Sequence, residues 1–273
     1  MTRVDSKVLE DLDALSTAYG DASWEIRQDL DSYGRRLWQS MGRDRRDEDI
    51  ERFIDGLLPR IIGGQEQLSE LTVGYLQACA EVMGVNAPSL GAVDYEWIRS
   101  GVRGVPPETV YQRPAHTMRQ ALAEGKPFEQ AVEAGELRLL QIIGGDCQIT
   151  RTGTANRGMR QWSESPEGGP QFYRRTLTGR ENCALCVVAS TQHYRVDKVM
   201  PIHPGCDCGF EPIPPGMGLE RVIDPDVLEA AHKVVEERTG EANRSASGYN
   251  DLLLTVKHDE YGPLIEWKRH RRN

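Results

Sequence analysis

The sequence contains no run of about 20 consecutive apolar residues, which is the length that a helix needs to cross a bilayer. Residues 1–5 are not followed by the apolar stretch of a secretory signal peptide. Both absences predict a protein that is made in the cytoplasm and has no membrane partner.

Several signatures of enzymes are missing as well. The chain has no HExxH pair of zinc-binding histidines, no GxSxG serine nucleophile and no GxxxxGK[ST] phosphate-binding loop. A zinc hydrolase would also need an open coordination position, usually with histidine and carboxylate ligands. We therefore predict a protein that is not an enzyme.

Basic residues are fewer than acidic ones. The 273 residues carry a formal net charge of -9, which argues against a general affinity for nucleic acid. One basic run, Lys268, Arg269, His270, Arg271 and Arg272, could contact DNA or an acidic partner locally. A solvated tail is the simpler interpretation of this run.

Apolar residues recur at intervals of three and four from about Asp5 to Gly84, which predicts amphipathic helices. Breaks are predicted at Gly20, at 43–49 and at Gly63–Gly64, and Gly84 is a predicted helix C-cap. This pattern indicates an N-terminal helical bundle or extended helical hairpins. The apolar stripes of the four predicted helices begin at Leu9, Ile26, Ile50 and Leu68.

Later segments are shorter and more mixed. The predicted elements are a helix beginning near Pro106–Pro107, an interruption at Pro114, a helix from about Pro127 through Thr154 weakened at Gly144–Gly145, a strand at Phe172–Leu177, a helix at Asp224–Arg238 and a short apolar segment at Asp251–Trp267.

These elements predict a mainly α protein with a small α+β, metal-stapled C-terminal module. The predicted divisions are an N-terminal helical region at 1–85, a connector at 86–113, a core at 114–219 that contains a Cys/His module at 172–214, and a C-terminal helix and tail at 220–273.

Cysteine is unevenly distributed. Cys79 and Cys147 stand alone, and Cys79 lies on an apolar helical stripe where a small core residue is expected. The other four cysteines form a CxxC pair and, with one histidine, an HxxCxC pattern; these five residues are Cys183, Cys186, His203, Cys206 and Cys208. Clustered thiols in a reducing cytoplasm indicate a metal site rather than a disulfide framework.

Two pairs of soft ligands at opposite ends of one loop suit a structural, tetrahedral Zn2+. Five residues compete for four positions, and the spacing does not decide which of them ligate. The open alternatives are a disulfide formed outside the cell, a metal-free thiol cluster, and a catalytic pair in which Cys183 or Cys186 is the nucleophile and His203 the base. His193 is expected to be a surface residue, and the sequence gives no local partner pattern for His116, His232 or His270.

Two short strings in the module carry a resemblance to a known family. Residues 173–179 read YRRTLTG, followed by the CALC of 183–186, and residues 200–208 read MPIHPGCDC. These strings resemble the core of the MuF-like phage head-morphogenesis family, and most closely its actinobacteriophage branch. Residues 256–264 resemble the HGELGPVL-like ending of that branch, with Asp259 and Tyr261 in place of the commoner Gly and Leu. A helix pair around 121–135 extends the resemblance to about 114–264.

The resemblance implies a structural minor capsid protein of a tailed bacteriophage. Such a protein is made in the host cytoplasm and enters the capsid interior at low copy near the portal, where it supports head assembly and DNA packaging or delivery. The implied partners are the portal protein and the major capsid or scaffolding protein, with the N-terminal helices as the contact surface. The rival hypothesis is a cysteine-dependent capsid maturation protease. Copy number, oligomeric state, the exact partner and ejection with the DNA are left open.

Overall fold

A computed structural model describes residues 6–42, 45–85, 93–166, 168–178, 184–200, 208–217, single positions between 224 and 236, and the strands at 253–258 and 262–267. The described chain is mainly helical, as the sequence predicts. The helices are α1 (Ser6–Ser40), α2 (Asp47–Val82), α3 (Tyr95–Ser100), α4 (Pro107–Tyr111), α5 (Arg113–Ala123), α6 (Phe128–Ser163) and α7 (Ala184–Ser190). The strands are β1 (Phe172–Thr176), β2 (His193–Arg195), β3 (Gly209–Pro212), β4 (Leu253–His258) and β5 (Gly262–Trp267).

The predicted breaks at Gly20 and at Gly63–Gly64 were wrong. Gly20 lies buried inside α1, and α2 continues through both of the other glycines. At Gly64 the reason is packing, because a Cβ atom there would lie 2.7 Å from Cδ1 of Leu30 on α1. This glycine permits a close approach between helices and does not end one.

The cap at Gly84 is confirmed, and α1 and α2 are separate helices as predicted, but the break predicted at 43–49 ends earlier because α2 begins at Asp47. The first turn of α2 carries Asp47, Glu48 and Asp49, whose negative charges stabilise the helix by interacting with the positive end of its dipole. The Arg46 backbone N–H also donates to the Asp49 carboxylate at 3.0 Å. At the other end Gly84 has a φ of 64°, and the N–H of Val85 donates to the Ala80 carbonyl at 3.0 Å, which is a Schellman C-cap.

The neighbouring glycines of α2 should respond oppositely to alanine. A Cβ at Gly63 meets nothing within 4 Å, so Gly63→Ala is expected to raise the free energy of unfolding by roughly 0.5–1 kcal/mol through helix propensity. A Cβ at Gly64 would also lie 3.1 Å from Cγ of Leu30, which is only 1% exposed and has little room to move. Gly64→Ala is therefore expected to lower stability, because overpacking costs about 1–3 kcal/mol.

Urea denaturation of both variants beside the unchanged protein measures these differences. A stabilising Gly64→Ala would show that the two helices do not pack closely at this position.

Between residues 107 and 163 the observed helices agree in part with those predicted from the sequence. Helix α4 begins at Pro107 as predicted, with the proline in its first turn. Pro114 was predicted to interrupt the pattern, and α4 and α5 are indeed separated at Gln112. Pro114 itself lies in the first turn of α5, where a missing N–H removes no helical hydrogen bond. Helix α6 includes Gly144–Gly145 and continues beyond Thr154 to Ser163, which is longer than predicted.

The described residues fall into two compact units, one drawn from 1–17, 76–90 and 156–273 and the other from 18–75 and 91–155. The main hydrophobic core belongs to the second unit. Every residue from Ile142 to Gln148 is buried, and because this stretch is longer than one helical turn, α6 is covered on all sides there. Fully buried members of this core are Trp38, Leu57, Ile61, Leu68, Leu139, Ile142 and Ile143.

The first unit contains the small antiparallel sheet, in the order β2–β1–β3. The strand predicted at Phe172–Leu177 is confirmed as β1. Strands β4 and β5 pair with each other as a hairpin within the segment predicted to be apolar. In the predicted helix at 224–238, the Leu228 N–H donates to the Asp224 carbonyl at 3.1 Å. The four predicted divisions of the chain stay a prediction.

Candidate functional site

The three-stranded sheet is the frame of the predicted Cys/His module. The central strand β1 pairs with β2 on one side and β3 on the other, and Tyr173 lies opposite Tyr194 and Pro212. Along β1 the side chains of Tyr173 and Arg175 are buried, while those of Phe172, Arg174 and Thr176 are half-buried. The helix α7 lies beside the same strand. The helix that carries Cys186 and the strand that directly follows Cys208 therefore adjoin β1.

Two of the five predicted metal ligands are described. Cys186 is the third residue of α7 and is 0% exposed, and Cys208 directly precedes β3 and is 8% exposed. No disulfide bond joins any of the four described cysteines. Cys183, His203 and Cys206 lie outside the described residues. That all five residues come together around one ion thus stays a prediction.

The chemistry of the two described donors fits a closed zinc site. A structural zinc ion is enclosed by its four ligands, so its thiolates are expected to be shielded from solvent, as both of these sulfur-bearing side chains are. Among the residues for which positions are given, no group of three or more histidine, cysteine or acidic side chains has a metal-binding arrangement. A complete ligand set would require members from the segments at 179–183 and 201–207.

An ion pair between a half-buried arginine and a buried carboxylate joins β1 to β3 and was not predicted from the sequence. Arg174 contacts Glu211 through both nitrogens of one edge, with Nε–Oε1 at 2.8 Å and Nη2–Oε2 at 3.0 Å. Glu211 is 2% exposed, and burial raises the pKa of its carboxyl while the bonds to Arg174 oppose that rise. Nη2 of Arg174 also lies 3.5 Å from a carboxylate oxygen of Asp13 on α1. The pair holds the strand that follows Cys208 in register.

Two other side chains of β1 hold the segment that leads toward His203. The Tyr173 hydroxyl donates to the Lys198 carbonyl at 3.0 Å, and the Arg175 Nη2 donates to the Met200 carbonyl at 2.7 Å. The Arg175 guanidinium also lies 5.2 Å from the ring centroid of Tyr194. Burial raises the pKa of Tyr173 to about 12. These contacts fix residues 198–200, close in sequence to a predicted ligand.

The isolated cysteines are core residues. Cys79 is 0% exposed on α2, which confirms the interpretation of its apolar stripe. Cys147 is 4% exposed on α6, and burial raises the pKa of its thiol to about 12. A thiol with so high a pKa carries almost no thiolate at neutral pH and is a poor nucleophile.

Outside the predicted ligand set, the structure describes the side chains of His193 and His116. His193 is on β2, and its ring centroid lies 6.4 Å from that of Phe172. His116 is exposed on α5. The remaining two isolated histidines, His232 and His270, are outside the described residues, as is the basic run at 268–272.

A second buried polar cluster lies in the unit that holds the main core. The Arg103 Nε donates to Oδ1 of Asp146, and the Arg103 Nη2 donates to the Ile142 carbonyl at 3.1 Å. The Tyr111 hydroxyl donates to Oδ2 of Asp146 at 2.8 Å. The side chains of Arg103 and Asp146 are only 2% and 6% exposed. Burial raises the pKa of Asp146, and the charge of Arg103 opposes that rise.

Comparison of the chain with protein-family models, with curated proteins and with solved structures found no match. Within the described part of the chain, no helix has the length and apolar character needed to span a membrane.

Proposed function

We propose that this chain is a structural minor head protein of a tailed bacteriophage, of the MuF-like type, placed at low copy in the capsid interior near the portal. The observation that carries the proposal is the combination of the strings at 173–179, 183–186 and 200–208. In this role the protein supports head assembly and DNA packaging or delivery, after synthesis in the host cytoplasm.

In the proposed protein, the Cys/His module is a rigid folding unit and not a reaction centre. Four of Cys183, Cys186, His203, Cys206 and Cys208 would hold a zinc ion, which supplies a crosslink between the two ends of the loop. The burial of Cys186 and Cys208 supports this, because a solvent-shielded thiol suits a structural ligand better than a nucleophile that must reach a substrate.

The N-terminal helices are the proposed docking surface for the portal protein or for the major capsid or scaffolding protein. Long helices with one face in a core present the opposite face to solvent, where a partner can bind. In α1 and α2 this outer face is rich in charged residues, among them Glu10, Glu25, Arg36, Glu51 and Asp55, all exposed. A DNA contact through residues 268–272 would be a minor addition.

Co-expression with the portal protein of the same phage tests the proposal. We expect the full chain to be retained with tagged portal protein, and we expect a variant with Glu10, Glu25, Glu51 and Asp55 all changed to Lys to be retained less while its melting temperature stays close to that of the unchanged chain. All four positions are exposed, so the substitutions leave the core intact.

Absence of retention with portal, capsid and scaffolding proteins alike would contradict the proposal. The same co-expression separates it from the rival capsid maturation protease. A protease would shorten the co-expressed capsid protein, and Cys183→Ala would abolish that cleavage without unfolding the chain. A structural head protein leaves the capsid protein at full length.

A further inference from the structure

Strand β1 holds both ends of the stretch of chain that runs from Met200 to Cys208. At its start, the Arg175 Nη2 donates to the Met200 carbonyl at 2.7 Å. At its end, Cys208 directly precedes β3, which pairs with β1. This stretch carries His203 and Cys206, two of the five predicted ligands. The residues on either side of these two ligands are therefore fixed to the same strand.

The Arg175 side chain is itself held by two aromatic rings. The residue is 8% exposed, and its guanidinium carbon lies 5.8 Å from the ring centroid of Tyr173 and 5.2 Å from that of Tyr194. The two ring centroids lie 5.5 Å apart. Cation–π contacts stabilise the guanidinium and restrict its orientation. The donor that meets the Met200 carbonyl is therefore already in position.

The Tyr173 hydroxyl makes a second contact with the same stretch. It donates to the Lys198 carbonyl at 3.0 Å, and the Arg175 Nη2 lies 3.4 Å from its oxygen. Two side chains of one strand thus bond to two nearby carbonyls and to each other. Two linked donors restrain the direction of the backbone at 198–200 more strongly than a single hydrogen bond would.

The strand register puts Arg175 on the same face of the sheet as Cys208. Arg175 lies opposite Phe210, and directly opposite residues of an antiparallel pair share a face. Cys208 comes two residues before Phe210, so the alternation of side chains places it on that face as well. Diagonal neighbours of this kind are about 7–8 Å apart, which is within reach of a long side chain.

Arg175 differs from its neighbour Arg174 in its charge partners. Arg174 pairs with Glu211 and lies 3.5 Å from a carboxylate oxygen of Asp13, whereas no carboxylate among the described residues forms a salt bridge with Arg175. Any four of the five predicted ligands include at least three cysteines, so a zinc centre made from them carries a net negative charge. A nearby buried cation without a carboxylate stabilises such a centre.

We propose that Arg175 is the positioning residue of the predicted zinc centre and that Tyr173 assists it. The proposal rests on the metal site of the proposed function and names the residues that organise that site. Arg175 fixes the chain just before two of the ligands, and its charge offsets that of the thiolates. Such outer contacts change metal affinity by about 10–100-fold, because ligands that are already ordered lose less conformational entropy on binding.

The zinc affinity of the full chain, measured by competition with a chelator of known affinity, tests this role. Arg175→Met keeps an apolar stem against the tyrosine rings but removes the charge and the donors, and it is expected to weaken zinc binding about 10–100-fold. Arg175→Lys keeps the charge and is expected to recover part of that loss. Tyr173→Phe removes one hydroxyl and is expected to weaken binding a few-fold.

Arg195→Met is the matched control, because it removes the same charge from the same sheet at a side chain that is 70% exposed. It is expected to leave the zinc affinity unchanged, since water screens an exposed charge. Cobalt(II) binds the same nitrogen and sulfur ligands, and its visible absorption bands report which ligands surround it. In Arg175→Met these bands are expected to keep their positions while the cobalt affinity falls, which neither a lost ligand nor an unfolded module would produce.

Equal zinc affinities of the unchanged chain and Arg175→Met would overturn the positioning role and leave the metal site in place. Equal weakening by Arg195→Met would also overturn it, because the effect would not depend on the buried guanidinium. Absence of zinc from the unchanged chain would remove both the site and the role. If Arg175→Met fails to fold, Arg175→Lys and Tyr173→Phe still decide the matter, because unchanged affinity in both is incompatible with the proposal.

Discussion

Cys186→Ala is expected to unfold the Cys/His module and to abolish zinc binding. In the proposed metal site, losing one of four ligands removes much of the binding free energy, and that energy is folding free energy for a small metal-dependent module. The unchanged protein is expected to contain one zinc per chain, with its module thiols reactive only after a chelator is added. Metal analysis, thiol titration and thermal melting under reducing conditions measure these three quantities.

Cys79→Ala is the matched control for this substitution. Both cysteines lie on helices and are 0% exposed, so both substitutions remove the same buried atom. Cys79→Ala is expected to cost only about 1–2 kcal/mol and to leave the zinc content unchanged, because it loses packing alone. Equal destabilisation by the two substitutions, with no zinc in the unchanged protein, would remove the metal site from the proposed function.

Asp146→Ala is expected to lower the free energy of unfolding by about 3–5 kcal/mol, a large part of the stability of an ordinary domain. The substitution leaves the Arg103 guanidinium buried without its carboxylate, and it deprives the buried Tyr111 hydroxyl of its acceptor. Burying an uncompensated charge costs far more than a lost surface ion pair stabilises. Urea denaturation followed by circular dichroism measures the loss.

Two comparison variants isolate the effect of burial. Asp47→Ala breaks the ion pair with Arg119, in which the Asp47 side chain is 82% exposed, and is expected to cost no more than about 1 kcal/mol. Combining Arg103→Met with Asp146→Leu removes both charges and is expected to recover part of the loss seen with Asp146→Ala. A loss at Asp146 no greater than that at Asp47 would show that the buried pair does not govern stability.

The helical character of this protein follows from local sequence patterns. Apolar spacing predicts the helices and Gly84 predicts the end of α2, whereas the acidic triplet at 47–49, assigned to a break, forms the first turn of α2. The failure at Gly64 has a clear source, because a glycine in a helical pattern suits a break and a close helix contact equally well. At Gly64 only the position of Leu30 on another helix distinguishes a close helix contact from a break. The residues around Gly64 in the sequence do not predict that contact.

The candidate site is predictable in its residue types and not in its contacts. The alternation of side chains at 172–177 predicts β1. Cysteine spacing identifies Cys186 and Cys208, the two cysteines that the structure describes in the module, as candidate ligands. The pair between Arg174 and Glu211 depends on strand register, and residues so far apart in sequence give no local sign of it. The burial of Arg45 against the Trp38 ring is likewise invisible to the sequence, since its neighbour Arg46 is exposed.

The all-round burial of α6 between Ile142 and Gln148 has a consequence for biosynthesis. Leu57 and Leu68 of α2 belong to the same core as Leu139 and Ile142, yet a ribosome makes α2 long before it reaches residue 128. During that interval α6 does not yet exist to pack against the nascent α1 and α2, so their apolar stripes are exposed to other chains. Premature termination before α6 should therefore yield an aggregation-prone fragment, and a chaperone can bind during that interval.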